Sequence, residues 1–291
     1  MRGFGLWATA ALFGCAEPSA FEDMGGLERN LRLAVARHAP EARLSAWAAR
    51  MDGRPVLAVA ADRPVPAAST VKVLILVEAH AQAEQGTFRW SDEVTLLDED
   101  KVGGAGSLRR ERSGSSWSWH QLARRMISES DNTASNLFVR RLGMDRVNAR
   151  AAALGLTRTR LQRLFMDEEA RRAGRDNVTS AEDMGRLLLA IYRKEILTPA
   201  ACDAMVEALE RTNRRRLAVG VPRDVAVGHK GGTGVGLRAD VGWVRVPGAP
   251  YVAAVFLDGL IERPDAEVDR GVDALESAAQ VLYDALGPGD L

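Results

Sequence analysis

Apolar and polar positions along the first 60 residues predict a helix followed by a hairpin. Residues 21–38 carry apolar residues at helical spacing, with Arg and Glu residues on the opposite face, which is typical of an amphipathic helix on a core. The segments 44–50 and 56–60 have the pattern of strands. Asp52-Gly53 between them is a hairpin signal, so we expect the two strands to pair antiparallel.

The rest of the chain is helical in the middle and strand-rich in the last third. An apolar run follows residue 70, and Ser118 and Thr179 each stand three residues before a Gln or a Glu, a capping-box spacing that marks helix starts. Three further strands are predicted at 225–229, 239–246 and 251–257, before a C-terminal amphipathic helix.

This order of elements predicts an α/β (α+β) fold. Consecutive strands favour an antiparallel sheet with the N- and C-terminal helices packed on it, and the long helical insert forms an all-helical lobe. We expect an α/β lobe from residues 21–64 and 212–288, a helical lobe from 65–211, and a site between them. The chain of 291 residues is long enough for this arrangement.

Charge and the N-terminus restrict the class of protein. The 39 basic and 39 acidic residues cancel, so we expect no nucleic-acid partner. Residues 1–20 resemble an export signal, with Arg2 before a short apolar run. Processing at Cys15 as a lipoprotein and plain cleavage after Ala20 are both open. We therefore expect an exported protein, periplasmic or tethered through a lipid on Cys15, and no other membrane contact. Cys202 is expected to lie buried in a helix, without a disulfide.

The first candidate for chemistry is Ser69 with Lys72, at the start of the apolar helix. A spacing of three places both side chains on one helical face. At the helix N-terminus Ser69 would face outward-pointing N–H groups, and a buried Lys72 would readily take its hydroxyl proton. Taken alone, the pair is more simply a capping Ser and an ordinary helical Lys.

Two further motifs change that interpretation. Ser130-Asp131-Asn132 follows, and then Lys230-Gly231-Gly232-Thr233-Gly234 just before a strand-like run. In this order and at this spacing the three motifs resemble the S-x-x-K, S-D-N and K-T-G set of class A β-lactamases and penicillin-binding proteins. The chain resembles this penicillin-recognising serine hydrolase family over most of its length. Lys230-Gly231-Gly232 departs from K-T-G at its middle residue.

The resemblance implies a role for each matching residue. Ser69 would be the nucleophile and Lys72 its base. Lys230 would hold the Ser130 hydroxyl, which relays a proton to the leaving nitrogen.

Substrate binding is implied for a second set of residues. Asn132 would hold the substrate amide and orient Lys72. The backbone N–H groups of Ser69 and Thr233 would bind the oxyanion, and Gly232 would let the strand approach closely. Arg238 is a candidate for the substrate carboxylate, although an Arg on the strand surface is a comparable interpretation. No residues have metal-ligand spacing, and we expect neither metal nor cofactor.

The loop from Arg158 to Thr179 departs from the class A pattern. Those enzymes carry there a Glu, followed four residues on by Asn, which activates the deacylating water. In this chain Phe165 stands in the position of the Glu, and Glu169 in that of the Asn. Asp167, Glu168 or Glu169 would serve as the base if the loop is re-threaded. Alternatively, these acids are solvated and paired with nearby arginines.

Three functions remain open at this point. The first is a β-lactamase-like serine hydrolase that opens β-lactams. The second is a D-alanyl-D-alanine peptidase or esterase with the same acylation site. The third is a penicillin-binding sensor that stays acylated because Phe165 replaces the Glu. In each case we expect a small-molecule substrate and a monomer.

Overall fold

The strands form one large sheet and two short pairs. The structure is a computed structural model that describes residues 18–262 and 269–287, with side chains from residue 25. In chain order the strands are β1 Arg43–Arg50, β2 Pro55–Val59, β3 Val65–Pro66, β4 Glu93–Thr95, β5 Ser116–Ser118, β6 Val178–Thr179, β7 Val227–Gly234, β8 Leu237–Val244 and β9 Tyr251–Asp258. The large sheet has the order β2-β1-β9-β8-β7 and every neighbouring pair is antiparallel.

Helices occupy both termini of the described chain and most of its middle. They are α1 Pro18–His38, α2 Lys72–Glu84, α3 Trp119–Ser128, α4 Asn132–Leu142, α5 Met144–Ala153, α6 Glu168–Arg172, α7 Ala181–Tyr192, α8 Pro199–Glu210 and α9 Arg270–Leu286. Their starts follow local chemistry: Ser118, Asp131, Ser180 and Thr198 each cap the first turn of a helix with a side-chain oxygen. Among residues 18–262 and 269–287, no helix is both long and apolar enough to span a bilayer.

The side chains of β1 alternate between two hydrophobic clusters, one on each face of the sheet. On β1, Ala46 and Ala48 join the cluster that packs under α1 and α9, whereas Trp47 and Ala49 join the cluster that continues into α2, α4 and α7. Successive side chains of a strand point to opposite faces, so both faces of this strand are buried. The sheet is therefore covered on one face by the terminal helices and on the other by the helical region.

The fold confirms the predicted antiparallel sheet with its flanking helices. Cys202 is buried in α8, as expected. The main difference is β7, for which a strand at 225–229 was expected. The strand runs instead from Val227 to Gly234 and includes the whole Lys230 motif. Residues 1–17 of the predicted export signal, with Cys15, lie outside the described part of the chain, and the division into lobes stays a prediction.

Candidate active site

Ser69 stands just before α2, a helix in which most residues are buried. It belongs to the 3₁₀ turn Ala68–Val71, which runs directly into α2. Ser69 is only partly buried and lines a cleft of about 810 Å³. The preceding Ala68 has a φ of 43°, a left-handed conformation that costs a non-glycine residue free energy and is common at functional sites.

Lys72, the first residue of α2, is completely buried. Its Nζ donates to the Ser130 carbonyl oxygen at 2.5 Å, to Asn132 Oδ1 at 2.9 Å and to Ser130 Oγ at 3.3 Å. Burial, followed by the charge of Lys230, lowers the pKa of Lys72 well below its ordinary value, against the opposing effect of Asp131. A lysine with such a pKa is readily neutral, and a neutral amine can accept a proton.

The Ser130 hydroxyl connects the two lysines of the site. Lys230 Nζ lies 2.9 Å from Ser130 Oγ, the atom to which Lys72 Nζ also donates. Burial lowers the pKa of Lys230 to about 7; Asp240 opposes this effect and Arg216 adds to it. When both amines donate to Ser130 Oγ, its two lone pairs are occupied and its hydrogen is left to donate elsewhere.

The turn that carries Ser130 is held by α4 and by the rim loop, the glycine-rich residues 103–106 at the edge of the cleft. Ser130 itself has a φ of 57°. Asp131 caps α4 through the Ala134 N–H at 2.9 Å, and its second oxygen accepts from the Leu108 N–H at 2.7 Å. At Gly106, with a φ of 101°, a Cβ would lie 2.1 Å from Asp131 Oδ2. Only glycine therefore allows the rim loop to approach the turn so closely.

Strand β7 forms the opposite wall of the cleft. A Cβ at Gly232 would lie 3.1 Å from Thr70 Cγ2 and 3.4 Å from the Ala68 Cβ, so the strand packs directly against the turn that carries Ser69. Thr233 is exposed and lines the cleft. Residues of β7 and of the Ser69 turn thus line the same cleft.

Arg216 is the site residue that the sequence interpretation missed. It lies in the 3₁₀ turn Arg216–Ala218. Its Nη2 donates to Thr233 Oγ1 at 2.6 Å, and its Nη1 donates to the carbonyl oxygens of Gly232 and Ala239 at 3.1 and 2.8 Å. A Cβ at Gly231 would lie 2.4 Å from Arg216 Nη1. The glycine that breaks the K-T-G pattern is therefore the residue that makes room for this guanidinium.

Arg238, expected on the strand surface or at the substrate carboxylate, has other partners. It is 8% exposed. Its Nε donates to Asp269 Oδ2 at 2.7 Å, and its Nη1 donates to Glu262 Oε1 at 3.1 Å. Two carboxylates already neutralise this guanidinium, which weakens it as a receptor for a third. Because Arg216 reaches Thr233 at the cleft, it is the better candidate for that role.

Phe165, the residue that the sequence interpretation aligned with the class A Glu, lies against Lys72. The Lys72 Nζ lies 4.5 Å from the ring centroid, within the range of a cation–π contact. The loop is held in place by Asn136, whose amide donates to the Phe165 carbonyl at 3.0 Å and accepts from the Phe165 N–H at 2.8 Å. An ion pair of 2.8 Å between Arg163 and Asp176 joins the two arms of the loop.

The three candidate bases all lie on the exposed side of this loop. Asp167 caps α6 through the Ala170 N–H at 2.9 Å, and Glu168 pairs with Arg171 at 2.7 Å. Glu169 is exposed. Of the three, Glu168 lines the cleft, but the described partners of Lys72 are Ser130, Asn132 and Phe165. None of the three carboxylates is therefore among the described partners of Lys72.

Comparison with known proteins agrees with this geometry. The model of the β-lactamase enzyme family matches residues 27–286. A β-lactamase of Streptomyces fradiae is 28% identical, over 98% of this chain and 94% of its own length. The crystal structure of a β-lactamase from Sphaerobacter thermophilus is similar with a TM-score of 0.80 and 28% identity, over 89% of this chain and 96% of that one.

A penicillin-binding protein is similar to the same degree. The structure of a leucine-to-glutamate mutant of PBP-A, as an acyl-enzyme complex with penicillin G, has a TM-score of 0.79 and 28% identity, over 90% of this chain and 96% of that one. Fold, cleft and family model agree over nearly the whole described chain. The chain belongs to the β-lactamase enzyme family and is a β-lactamase-like serine hydrolase.

Proposed function

We propose that a β-lactam acylates Ser69 and is thereby opened. The Ser69 oxygen attacks the lactam carbonyl while its proton passes to the neutral amine of Lys72. The ring carbon–nitrogen bond breaks, Ser130 gives its proton to the departing nitrogen, and Lys72 returns a proton to Ser130. The observation that carries the proposal is that Lys72 and Lys230 both hydrogen-bond to Ser130 Oγ, inside the cleft that Ser69 lines.

Two backbone N–H groups, those of Ser69 and Thr233, are proposed to hold the oxyanion. The support is the close packing of β7 on the Ser69 turn at Gly232, because an oxyanion hole needs two preorganised donors that converge on one point. Asn132 is proposed to hold the substrate amide while its Oδ1 orients Lys72.

The carboxylate of the substrate is assigned to Arg216 and Thr233. A guanidinium and a hydroxyl that already contact each other at 2.6 Å offer a carboxylate a charge-assisted pair of donors. Arg238 was the candidate from the sequence. Because it pairs with Glu262 and Asp269, we assign the substrate carboxylate to Arg216 instead.

The second candidate function is a penicillin-binding protein that stays acylated. Deacylation needs a base that activates water beside the ester. Phe165 occupies the place above Lys72 and cannot accept a proton, while the acids at 167–169 face solvent. We therefore propose that acylation is efficient and that release is slow. A D-alanyl-D-alanine peptide would use the same acylation groups and is the alternative substrate class.

Export belongs to the proposal as well. Its support is the pattern of residues 1–20, a basic residue before a short apolar run and small residues. A lipid on Cys15 would anchor the protein to a membrane.

Covalent labelling tests the acylation step. A fluorescent penicillin should label the wild-type protein on the peptide that contains Ser69, and Ser69→Ala should abolish labelling. Lys72→Ala should slow labelling by about two orders of magnitude or more, as expected for the loss of a general base. The exposed Ser116→Ala is the matched control and should label normally. Labelling that persists in Ser69→Ala would refute the nucleophile.

A further inference from the structure

His229 has hydrogen-bond acceptors at both of its ring nitrogens. It lies on β7 immediately before Lys230 and is 5% exposed. Its Nδ1 is 2.8 Å from a carboxylate oxygen of Asp240, and its Nε2 is 2.9 Å from the carbonyl oxygen of Asn213. An ionised carboxylate and a carbonyl can only accept, so each ring nitrogen must carry a hydrogen. This geometry is that of an imidazolium, the charged form of histidine.

The two partners of His229 belong to the segment that carries Arg216. Asn213 lies three residues before Arg216, and Asp240 Oδ2 also accepts from the backbone N–H of Leu217 at 3.1 Å. His229 therefore holds the segment 213–217 at its first residue, and Asp240 holds it at its last. Arg216 has a φ of 54°, and a non-glycine residue keeps such a conformation only when its surroundings enforce it.

The charges around His229 favour its protonated form. Asp240 faces the ring from β8, Lys230 follows on β7, and Arg216 lies near Asp240. Burial lowers the pKa of His229, but the charge and hydrogen bond of Asp240, with the Asn213 carbonyl, outweigh burial and Lys230 and raise it. Asp240 is fully buried, and pairing with His229 at 2.8 Å offsets the cost of burying a carboxylate.

We propose that His229 and Asp240 form an ionic clasp that positions Arg216 for the carboxylate of the substrate. His229 is a positioning residue: it does not touch the substrate but fixes the turn from which the guanidinium reaches Thr233. The inference rests on the proposed function in one respect, the assignment of the substrate carboxylate to Arg216. The protonation state of His229 and its hold on the turn are independent of that assignment.

Nitrogen-15 NMR of the intact protein tests the clasp directly. At about pH 7.5, where an ordinary histidine is neutral, both ring nitrogens of His229 should give imidazolium signals. The signals are assigned with His229→Gln. In Asp240→Asn the ring should become neutral. A neutral His229 in the wild-type protein would overturn the clasp, whether or not the protein reacts with β-lactams.

Acylation kinetics test the positioning role with two probes, penicillin G and its methyl ester. His229→Gln should slow acylation by penicillin G about tenfold, as for loss of a charge-assisted hydrogen bond, through weaker binding rather than a slower chemical step. The ester should be affected much less, and His120→Gln should change neither rate. Equal slowing with both probes would overturn the positioning role.

A double variant provides the second kinetic criterion. Arg216→Ala should lose about as much rate with penicillin G as His229→Gln, and His229→Gln/Arg216→Ala should lose no more, because both changes remove one interaction. Additive losses would contradict the clasp. If neither probe acylates the wild-type protein, the proposed function fails, and the NMR result still decides whether the clasp exists.

Discussion

At the scale of single residues, Gly231 and Arg216 depend on each other. A side chain at position 231 would occupy the place of the Arg216 guanidinium, since a Cβ there would lie 2.4 Å from Nη1. The chain lacks the hydroxyl that K-T-G enzymes carry at this position, and Arg216 brings a charged donor to the same stretch of strand. The departure from the motif and the missed arginine are thus two aspects of one arrangement.

The substitution Gly231→Thr should displace Arg216. We expect acylation by penicillin G to slow about tenfold, because a charge-assisted contact with the substrate is lost. Stopped-flow measurement of the second-order rate constant checks this. Gly231→Thr/Arg216→Ala should be no slower than Gly231→Thr, because the guanidinium is already displaced. A Gly231→Thr protein that reacts at the wild-type rate would show that the two residues are independent.

In the sequence, motif spacing singled out Ser69, Lys72, Ser130 and Lys230, and their catalytic roles stay a prediction. The structure brings Lys72 and Lys230 each within hydrogen-bond distance of Ser130 Oγ. Arg216 could not be found in this way, because its position depends on a turn held by β7 and β8. Arg238 could not be distinguished from a surface residue, since its partners Glu262 and Asp269 come from a segment with no motif.

At the scale of elements, the turn before α4 determines where Ser130 and Asn132 point. Asp131 connects the helix N-terminus to the 3₁₀ turn Leu108–Arg110 through two hydrogen bonds, and it is 1% exposed. The rim loop adds the Ala105 and Gly103 carbonyls, which accept from the backbone and side-chain amides of Asn132. The turn that carries Ser130 is therefore held by buried polar contacts as well as by α4.

Asp131→Ala should destabilise the protein more than loss of an ordinary cap. It removes a cap, at about 1 kcal/mol, and leaves the Leu108 N–H unpaired in the interior, at about 1–3 kcal/mol. We expect the free energy of unfolding to fall by about 2–4 kcal/mol in urea titrations. Ser118→Ala, which removes the cap of α3 at a more exposed position, is the control, with an expected loss of about 1 kcal/mol. Equal losses in the two variants would contradict this account.

The boundaries of helices were easier to predict than those of β7. Capping residues and Gly143 mark helix ends locally, and α3 and α4 end at Ser128 and Leu142. The segment 231–234 holds three glycines, which have low strand propensity. It is nevertheless a strand because β8 pairs with it residue by residue, from Val227 opposite Val244 to Gly234 opposite Leu237. Tertiary pairing overrides the local preference there.

At the scale of the whole molecule, the site lies where the helical region meets the edge of the sheet. Lys72 comes from the helical region and Lys230 from β7, and both are buried against the Ser130 hydroxyl. Because two like charges share one buried site, the pair takes up its second proton with difficulty. Burial of the helical region on the sheet therefore keeps one amine available as a base.

This arrangement predicts how acylation depends on pH. Burial lowers the pKa of both lysines, that of Lys230 to about 7. As the pH falls, protonation of Lys72 removes the neutral amine that accepts the Ser69 proton. The acylation rate with penicillin G, measured between about pH 5 and about pH 9, should fall on the acid side. A rate that stays constant or rises toward acid would exclude Lys72 as the base.

The central claim is that Ser69 is acylated and that Phe165 makes release slow. The most direct test is intact-mass spectrometry of the mature protein mixed with penicillin G and followed over time, beside Phe165→Glu, which places a carboxylate above Lys72. We predict a wild-type adduct that persists for hours, and a Phe165→Glu adduct that appears and then disappears as hydrolysed product accumulates. A wild-type adduct that disappears within minutes, with product formed, would contradict the account. Asp167, Glu168 and Glu169 would then again be the candidates for the deacylating base.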